Sequence, residues 1–178
     1  MEQTLNYKTY LEEALKSLEK ESLTGVKKEA LSHFLKKGIP NQKNEAWKYF
    51  NLSPLLECTI KKEASSKEVS DKSNATITII DGKLVDSKSV SGMNIRNISD
   101  VTKQSQTPGI PSNPFSYLNT TSFSENIEIT ISKSEYIKDL IKIDMITTEN
   151  IITQPRITIL VEENASAEAV INHINQNK

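Results

Sequence analysis

The chain changes character at one stretch, which reads Gly38-Ile39-Pro40-Asn41-Gln42-Lys43-Asn44-Glu45-Ala46-Trp47-Lys48-Tyr49-Phe50. The glycine and proline at its start are residues that commonly end helices. Its centre holds the only tryptophan, inside a Glu-x-Trp-Lys-Tyr cluster, and a Ser-Pro-Leu-Leu run follows at 53–56. We expect a short helical turn around Trp47, with Trp47, Phe50 and Leu52 available to anchor the preceding helices.

The sequence before this stretch has the periodicity of two amphipathic helices. The apolar side of the first comprises Tyr7, Tyr10, Leu11, Ala14, Leu15 and Leu18. The second begins near Thr24, a candidate N-cap, and ends with Lys36 and Lys37, whose charges complement the helix dipole. Its apolar side comprises Val26, Ala30, Leu31, Phe34 and Leu35. These patterns predict a helical hairpin within an N-terminal helical region, residues 1–60.

A polar segment follows, and we predict a flexible linker over 61–75. It consists mainly of Lys, Glu, Ser and Asp, which bury too little apolar surface to become ordered. Beyond it, Asp81-Gly82 lies between two apolar runs, which is a strong signal for a β-hairpin. A further strand is expected over 93–98.

The remainder of the predicted β-rich region, residues 76–178, contains a proline-rich irregular connection at 107–114 and a short helix over 115–120. Apolar residues then alternate with polar ones in four passes. The alternating apolar residues are Ile127, Ile129 and Ile131, then Ile141, Ile143 and Met145, then Ile157, Ile159 and Val161, and finally Ala167, Ala169 and Ile171. An antiparallel sandwich and a parallel β-solenoid both fit this pattern.

Composition excludes several classes of function. The 178 residues carry a net charge of −1, which removes the electrostatic argument for binding nucleic acid or an anionic membrane. The single cysteine, Cys58, cannot form an internal disulfide. No window approaches the ~20 apolar residues of a membrane span, and the start of the chain lacks the apolar core of a signal peptide. The expected compartment is the cytoplasm.

The Glu45-x-Trp47-Lys48-Tyr49 cluster, after its Gly-x-Pro turn, resembles the N-terminal signature of SufD, in the SufB/SufD family of iron–sulfur cluster assembly scaffolds. Two later segments are also similar to that family: the aromatic and Leu-Asn pattern at 115–120, and the Pro-Arg run at 155–167. The resemblance implies an α+β fold, in which the N-terminal helical hairpin leads into a mixed region and the start of a right-handed parallel β-helix. Because family members are more than twice as long, the chain is expected to be the N-terminal part, with a truncated β-helix.

The resemblance also implies a function. SufD is a non-catalytic subunit of an assembly complex that contains a SufB-like scaffold subunit and a SufC-like ATPase. The complex handles an iron–sulfur cluster, but no cofactor is expected on this part of the chain, since the docking and cluster residues of the family lie beyond Lys178. A truncated solenoid leaves strand edges open, so we expect self-association or loose ordering of the last ~10–15 residues.

Few residues are candidates for a site of their own. Trp47, Lys48 and Tyr49 are possible partner contacts, and the competing interpretation is that Trp47 fills the junction between the helices and the sheet. Cys58 is one thiolate where a cluster takes about four, and His33 and His173 lack metal-ligand spacing. We therefore predict no catalytic, cofactor-binding or metal-binding residues.

Two other interpretations stay open. One is a β-helix enzyme of the carbohydrate-active type, which would need clustered carboxylates on its strands, whereas these strands carry mostly Ile, Thr and Ser. The other is the related SufB, against which the Trp47 cluster argues.

Overall fold

A computed structural model of the protein describes residues 4–21, 23, 25–61, 75–88, 90–98, 113–123 and 125–176. The fold of these residues is mixed α+β, with helices near the N-terminus and several sheets. In chain order the elements are β1 (Thr4–Asn6), α1 (Tyr7–Lys20), α2 (Gly25–Lys37), a 3-10 turn (Glu45–Trp47), α3 (Ser53–Glu57), β2 (Thr59–Lys61), β3 (Ile77–Ile80), β4 (Lys83–Ser87), β5 (Met93–Ile98), α4 (Pro114–Ser122), β6 (Asn126–Ile131), β7 (Ile141–Thr147), β8 (Arg156–Val161) and β9 (Ala169–Asn175).

The chain divides into two compact units. The helical unit comprises the described residues of Met1–Lys62 and Gln106–Phe123, and the strand unit comprises those of Glu63–Ser105 and Ser124–Lys178. The predicted division placed the helix around 115–120 in the β-rich region, whereas α4 belongs to the helical unit. The structure therefore returns a distant segment of the chain to the N-terminal helices.

The start of α1 is fixed by contacts that the sequence analysis did not include. Asn6 is the N-cap, and its side-chain Oδ1 accepts a hydrogen bond from the Thr9 N–H at 2.8 Å. β1 pairs with β2 in antiparallel fashion, and the Tyr7 N–H donates to the Cys58 carbonyl at 3.0 Å. This small sheet ties the first residues of the helical unit to the segment that follows the Trp47 cluster.

Helix α2 packs chiefly on α4 rather than forming a simple hairpin with α1. One buried cluster contains Leu11 of α1, Phe34 of α2, and Tyr117 and Leu118 of α4. The expected helical hairpin is thus corrected to a three-helix arrangement, because α4 supplies most of the apolar surface that covers α2.

The strand unit begins with the predicted hairpin. β3 and β4 are antiparallel and joined by Asp81 and Gly82, whose φ values are 47° and 84°. The Asp81 carboxylate accepts hydrogen bonds from the N–H and the hydroxyl of Thr148, at 2.9 and 2.6 Å. The predicted strand over 93–98 is also present, as β5.

The later strands pair in parallel. The two sheets have the strand orders β4-β3-β7-β9 and β5-β6-β8, in which β6 pairs with β8 and β7 with β9 in parallel. Asn126 pairs with Arg156, 30 residues further along the chain. These parallel pairings rule out the antiparallel sandwich for these four strands.

Alternate residues of the strands form the core of the strand unit. Its buried members are Ile77, Ile79, Ile127, Ile129, Ile131, Ile137, Ile141 and Ile143. The same face continues onto β8 and β9, but there Ile159, Val161 and Ile171 are 43%, 54% and 45% exposed. The apolar interior is therefore closed at β6 and β7 and open at β8 and β9.

Three sequence-based predictions lie partly or wholly outside the described residues. They concern the N-cap at Thr24, the flexible linker over 61–75 and the irregular connection at 107–114. Of the linker, the structure describes only Lys61, which ends β2, and Ala75, which is buried.

Candidate interaction site

The backbone around Trp47 is shaped by asparagine side chains. Asn41 Oδ1 accepts from the Lys43 N–H at 2.9 Å, and Asn44 Oδ1 accepts from the Asn41 N–H at 3.0 Å. Such local bonds compete with helix continuation and favour turns. The Trp47 N–H then donates to the Asn44 carbonyl at 2.8 Å and closes the predicted short turn, a 3-10 turn over Glu45–Trp47.

Trp47 is half-buried between two phenylalanines. Its ring meets those of Phe50 and Phe115 edge-to-face, with centroid separations of 5.6 and 5.5 Å. Phe115 lies on α4. Trp47 therefore anchors its segment within the helical unit, as one of the two interpretations expected, and its partner there is a helix.

The residues that follow Trp47 are the most exposed aromatic groups of this segment. Tyr49 is 91% exposed and Phe50 is 62% exposed. Lys48 is exposed, and its Nζ lies 5.6 Å from the centroid of the Tyr49 ring. Lys48 and Tyr49 thus remain available to a partner, whereas Trp47 has one side committed to packing.

A groove lies beside these residues. It has a volume of about 400 Å³ and is lined by Pro40, Asn41, Gln42, Lys43, Phe50, Asn51, Leu52, Ser53 and Leu56. The sequence analysis singled out the aromatic cluster but not this groove. The signal that could have located it is the pair of turn-forming segments, 40–43 and 50–53, that flank the Trp47 turn.

The histidines and the cysteine have packing roles or no neighbours of functional significance. His33 stacks on Tyr117 with ring centroids 5.0 Å apart, and its Nε2 lies 3.6 Å from a carboxylate oxygen of Glu29. Cys58 is a half-buried free thiol. His173 is exposed on β9. Within the described part of the chain, no three His, Cys, Asp or Glu side chains are placed to hold a metal ion.

Burial also perturbs a tyrosine in the helical unit. Tyr7 is 5% exposed. Desolvation by burial, followed by the nearby Tyr10 and Cys58, raises its pKa above the ordinary value. Tyr7 faces no groove among those found in the described residues, so its role is structural.

A buried polar group in the strand unit was not expected. Glu128 has no exposed surface and pairs with the Arg96 guanidinium, which donates to its Oε1. The neighbouring Asn126 accepts from the Thr158 hydroxyl at 3.0 Å. Burial also lowers the pKa of the Arg156 guanidinium. These residues form a polar layer on the outward side of β6 and β8.

With this geometry in view, the comparison with protein families identifies one part of the chain. Residues 1–79 match the SufBD protein N-terminal region. The match supports the SufB/SufD family for this part of the chain, and it holds for SufB and SufD alike. No curated protein matches the chain.

The region similar to the SufBD N-terminal region contains the Trp47 segment and every residue that lines the groove. It ends within β3, so α4 and the strands from β4 onward lie outside the match. Among the described residues, no helix combines the length and apolar character needed to cross a membrane.

Proposed function

We propose that the protein is a non-catalytic subunit of an iron–sulfur cluster assembly scaffold complex of the SufBCD type. Its partners in this proposal are a SufB-like scaffold subunit and a SufC-like ATPase, in the cytoplasm. The cluster is the cargo of the complex, and the described residues contribute structure and partner contacts rather than ligands. The observation that carries the proposal is the match of residues 1–79 to the SufBD protein N-terminal region.

The strand unit supports the same proposal through its pairing. The step from Asn126 to Arg156 is repeated by the parallel bridge from Tyr136 to Ser166. The third parallel pairing, β7 with β9, has a similar step. A nearly constant step between parallel strands is the pattern of a solenoid. We infer that these strands are the first coils of the right-handed parallel β-helix expected for the family.

The turns between strands repeat with the strands. Ser134 and Asn164 occupy equivalent positions 30 residues apart, and both have positive φ, 61° and 59°. The Ser134 N–H donates to the Glu163 carbonyl at 3.0 Å, and the Lys133 ammonium pairs with the Glu163 carboxylate. Equivalent turns therefore stack on each other, which is what coils of one solenoid require.

The assignment to SufD within the family rests on the Glu45-x-Trp47-Lys48-Tyr49 cluster. In the structure this cluster forms a turn anchored on Phe115, with Lys48 and Tyr49 exposed. We propose that the helical unit, through this exposed part, serves as a docking arm of the scaffold.

The test is affinity purification of the protein, as its cells produce it, with detection of SufB-like and SufC-like partners. The proposal expects both to co-purify in fixed ratio, and expects iron and sulfide in the purified complex after anaerobic reconstitution. Absence of both partners, with a compact and folded protein in hand, would refute it. A panel of polysaccharides tests the alternative of a carbohydrate-active enzyme, which the proposal expects to remain unhydrolysed.

A further inference from the structure

The groove beside Trp47 combines an apolar floor with polar walls. Phe50, Leu52 and Leu56 supply its apolar surface. The remaining wall residues are mainly amide and hydroxyl side chains, which can exchange hydrogen bonds with a peptide backbone. Because Phe50 is 62% exposed and Leu55, between two lining residues, is 37% exposed, apolar surface continues outside the groove.

The charge at the groove has one sign. Lys43 is the only charged residue among those that line it, and no carboxylate does so. Lys48 is exposed two residues before Phe50. Glu45 belongs to the same segment but is not part of the lining. An anionic occupant would therefore meet attraction inside the groove and no direct repulsion from it.

We propose that this groove docks an acidic amphipathic helix of a partner protein. An apolar side chain of that helix inserts beside Phe50, and a carboxylate on its next turn meets Lys43. Helix-in-groove recognition uses apolar anchors at helical spacing, with flanking charges that set specificity. The inference rests on the proposed scaffold role, since it names the class of partner that the docking arm binds.

The size of the groove favours a side-chain anchor over a whole small molecule. A volume of about 400 Å³ is at the lower end of ligand pockets. The groove also opens onto exposed Tyr49 and Phe50, a surface that a helix can cover and a small ligand cannot. Exposed aromatic residues beside a pocket are typical of the anchors of protein interfaces.

The experiment uses three designed helical peptides of about 16 residues. The first carries Leu at i, i+4 and i+7 with Glu on its flanks. The second replaces each Glu by Lys, and the third replaces each Leu by Ala. Fluorescence anisotropy of labelled peptides measures binding to the wild-type protein and to two variants, Lys43→Glu and Lys16→Glu. Lys16 is exposed on α1 and outside the groove lining, so it controls for net charge.

The proposal expects saturable binding of the acidic Leu peptide and at least tenfold weaker binding of the other two. Lys43→Glu should weaken the acidic peptide by about fivefold and strengthen the basic one, since one contact changes from attraction to repulsion. Lys16→Glu should leave both dissociation constants unchanged. Equal binding of acidic and basic peptides, or equal effects of the two variants, would overturn the proposal.

A second copy of the chain is the competing occupant, and sedimentation equilibrium addresses it. A dimer that Lys43→Glu converts to monomer would show that the groove is a self-interface and would overturn the proposal. If the peptides fail while SufB-like and SufC-like partners still co-purify, the scaffold role stands and only the groove assignment fails. If the peptides bind and no partner co-purifies, the reverse holds.

Discussion

Trp47 packs edge-to-face on Phe115, with ring centroids 5.5 Å apart and ring planes at 61°. The two residues lie far apart in the sequence, on the 3-10 turn after α2 and on α4. Their contact fixes the Trp47 segment against the same helix that covers α2. The position of the exposed Lys48 and Tyr49, and of the groove beside them, therefore depends on this aromatic pair.

Replacing Trp47 by alanine should destabilise the helical unit by about 2–3 kcal/mol, below the 3–5 kcal/mol of a fully buried aromatic because Trp47 is only half-buried. Guanidinium unfolding followed by circular dichroism measures the change. Tyr49→Ala is the matched control, since Tyr49 is 91% exposed, and its effect should stay within about 0.5 kcal/mol. Equal effects of the two changes would mean that the contact with Phe115 contributes nothing to stability.

The sequence predicted the elements whose signals are local. Helices α1 and α2, the Asp81-Gly82 hairpin and the 3-10 turn at Trp47 all depend on residues within a few positions of each other. The pairing of α2 with α4 does not, because Phe34 and Tyr117 meet only through a long return of the chain. Periodicity shows that a helix has an apolar face, but it does not show which distant element covers that face.

The candidate site was predicted in the same incomplete way. The aromatic and lysine cluster was recognised from residue types, but the groove depends on how 40–43 and 50–56 fold around Trp47. Glu128 was passed over because strand alternation places it on the polar side, which usually faces water. Its complete burial beside Arg96 is a result of tertiary packing, which alternation does not encode.

Gly82→Ala should cost about 2–3 kcal/mol. Its φ of 84° is unfavourable for a residue with a Cβ, and an added Cβ would lie 3.1 Å from Thr153 Cβ. Gly38→Ala is the control, because Gly38 has a φ of 67° but open space around it, and about 1 kcal/mol is expected. Thermal or chemical unfolding of each variant measures both terms.

The double variant Gly82→Ala/Thr153→Ala separates conformational strain from the steric contact. It should destabilise less than the sum of the two single changes, since removing the Thr153 side chain beyond its Cβ gives the strand room to adjust. Strict additivity would show that the contact with Thr153 carries none of the cost.

Alkaline pH should destabilise the protein through Tyr7. Its pKa is raised in the folded state, chiefly by burial, so the unfolded chain releases the phenolic proton first. Stability from this group is complete below its ordinary pKa of 10.0 and falls as pH rises through the raised value. Tyr7→Phe should therefore flatten the decline in free energy of unfolding above about pH 10. Tyr49→Phe, at an exposed position, should leave the decline as it is.

Ile129 and Ile159 are paired on neighbouring parallel strands but differ in burial, at 1% and 43% exposed. Ile129→Ala should cost about 3–4 kcal/mol, and Ile159→Ala about 1 kcal/mol in a dilute monomeric sample. Urea unfolding at several protein concentrations measures both. If Ile159→Ala becomes as costly as Ile129→Ala only at high concentration, a second molecule covers the open end of the strand unit, and the expected self-association is confirmed. Equal costs at every concentration would contradict the open interior at β8, because a solvent-exposed side chain has little transfer free energy to lose.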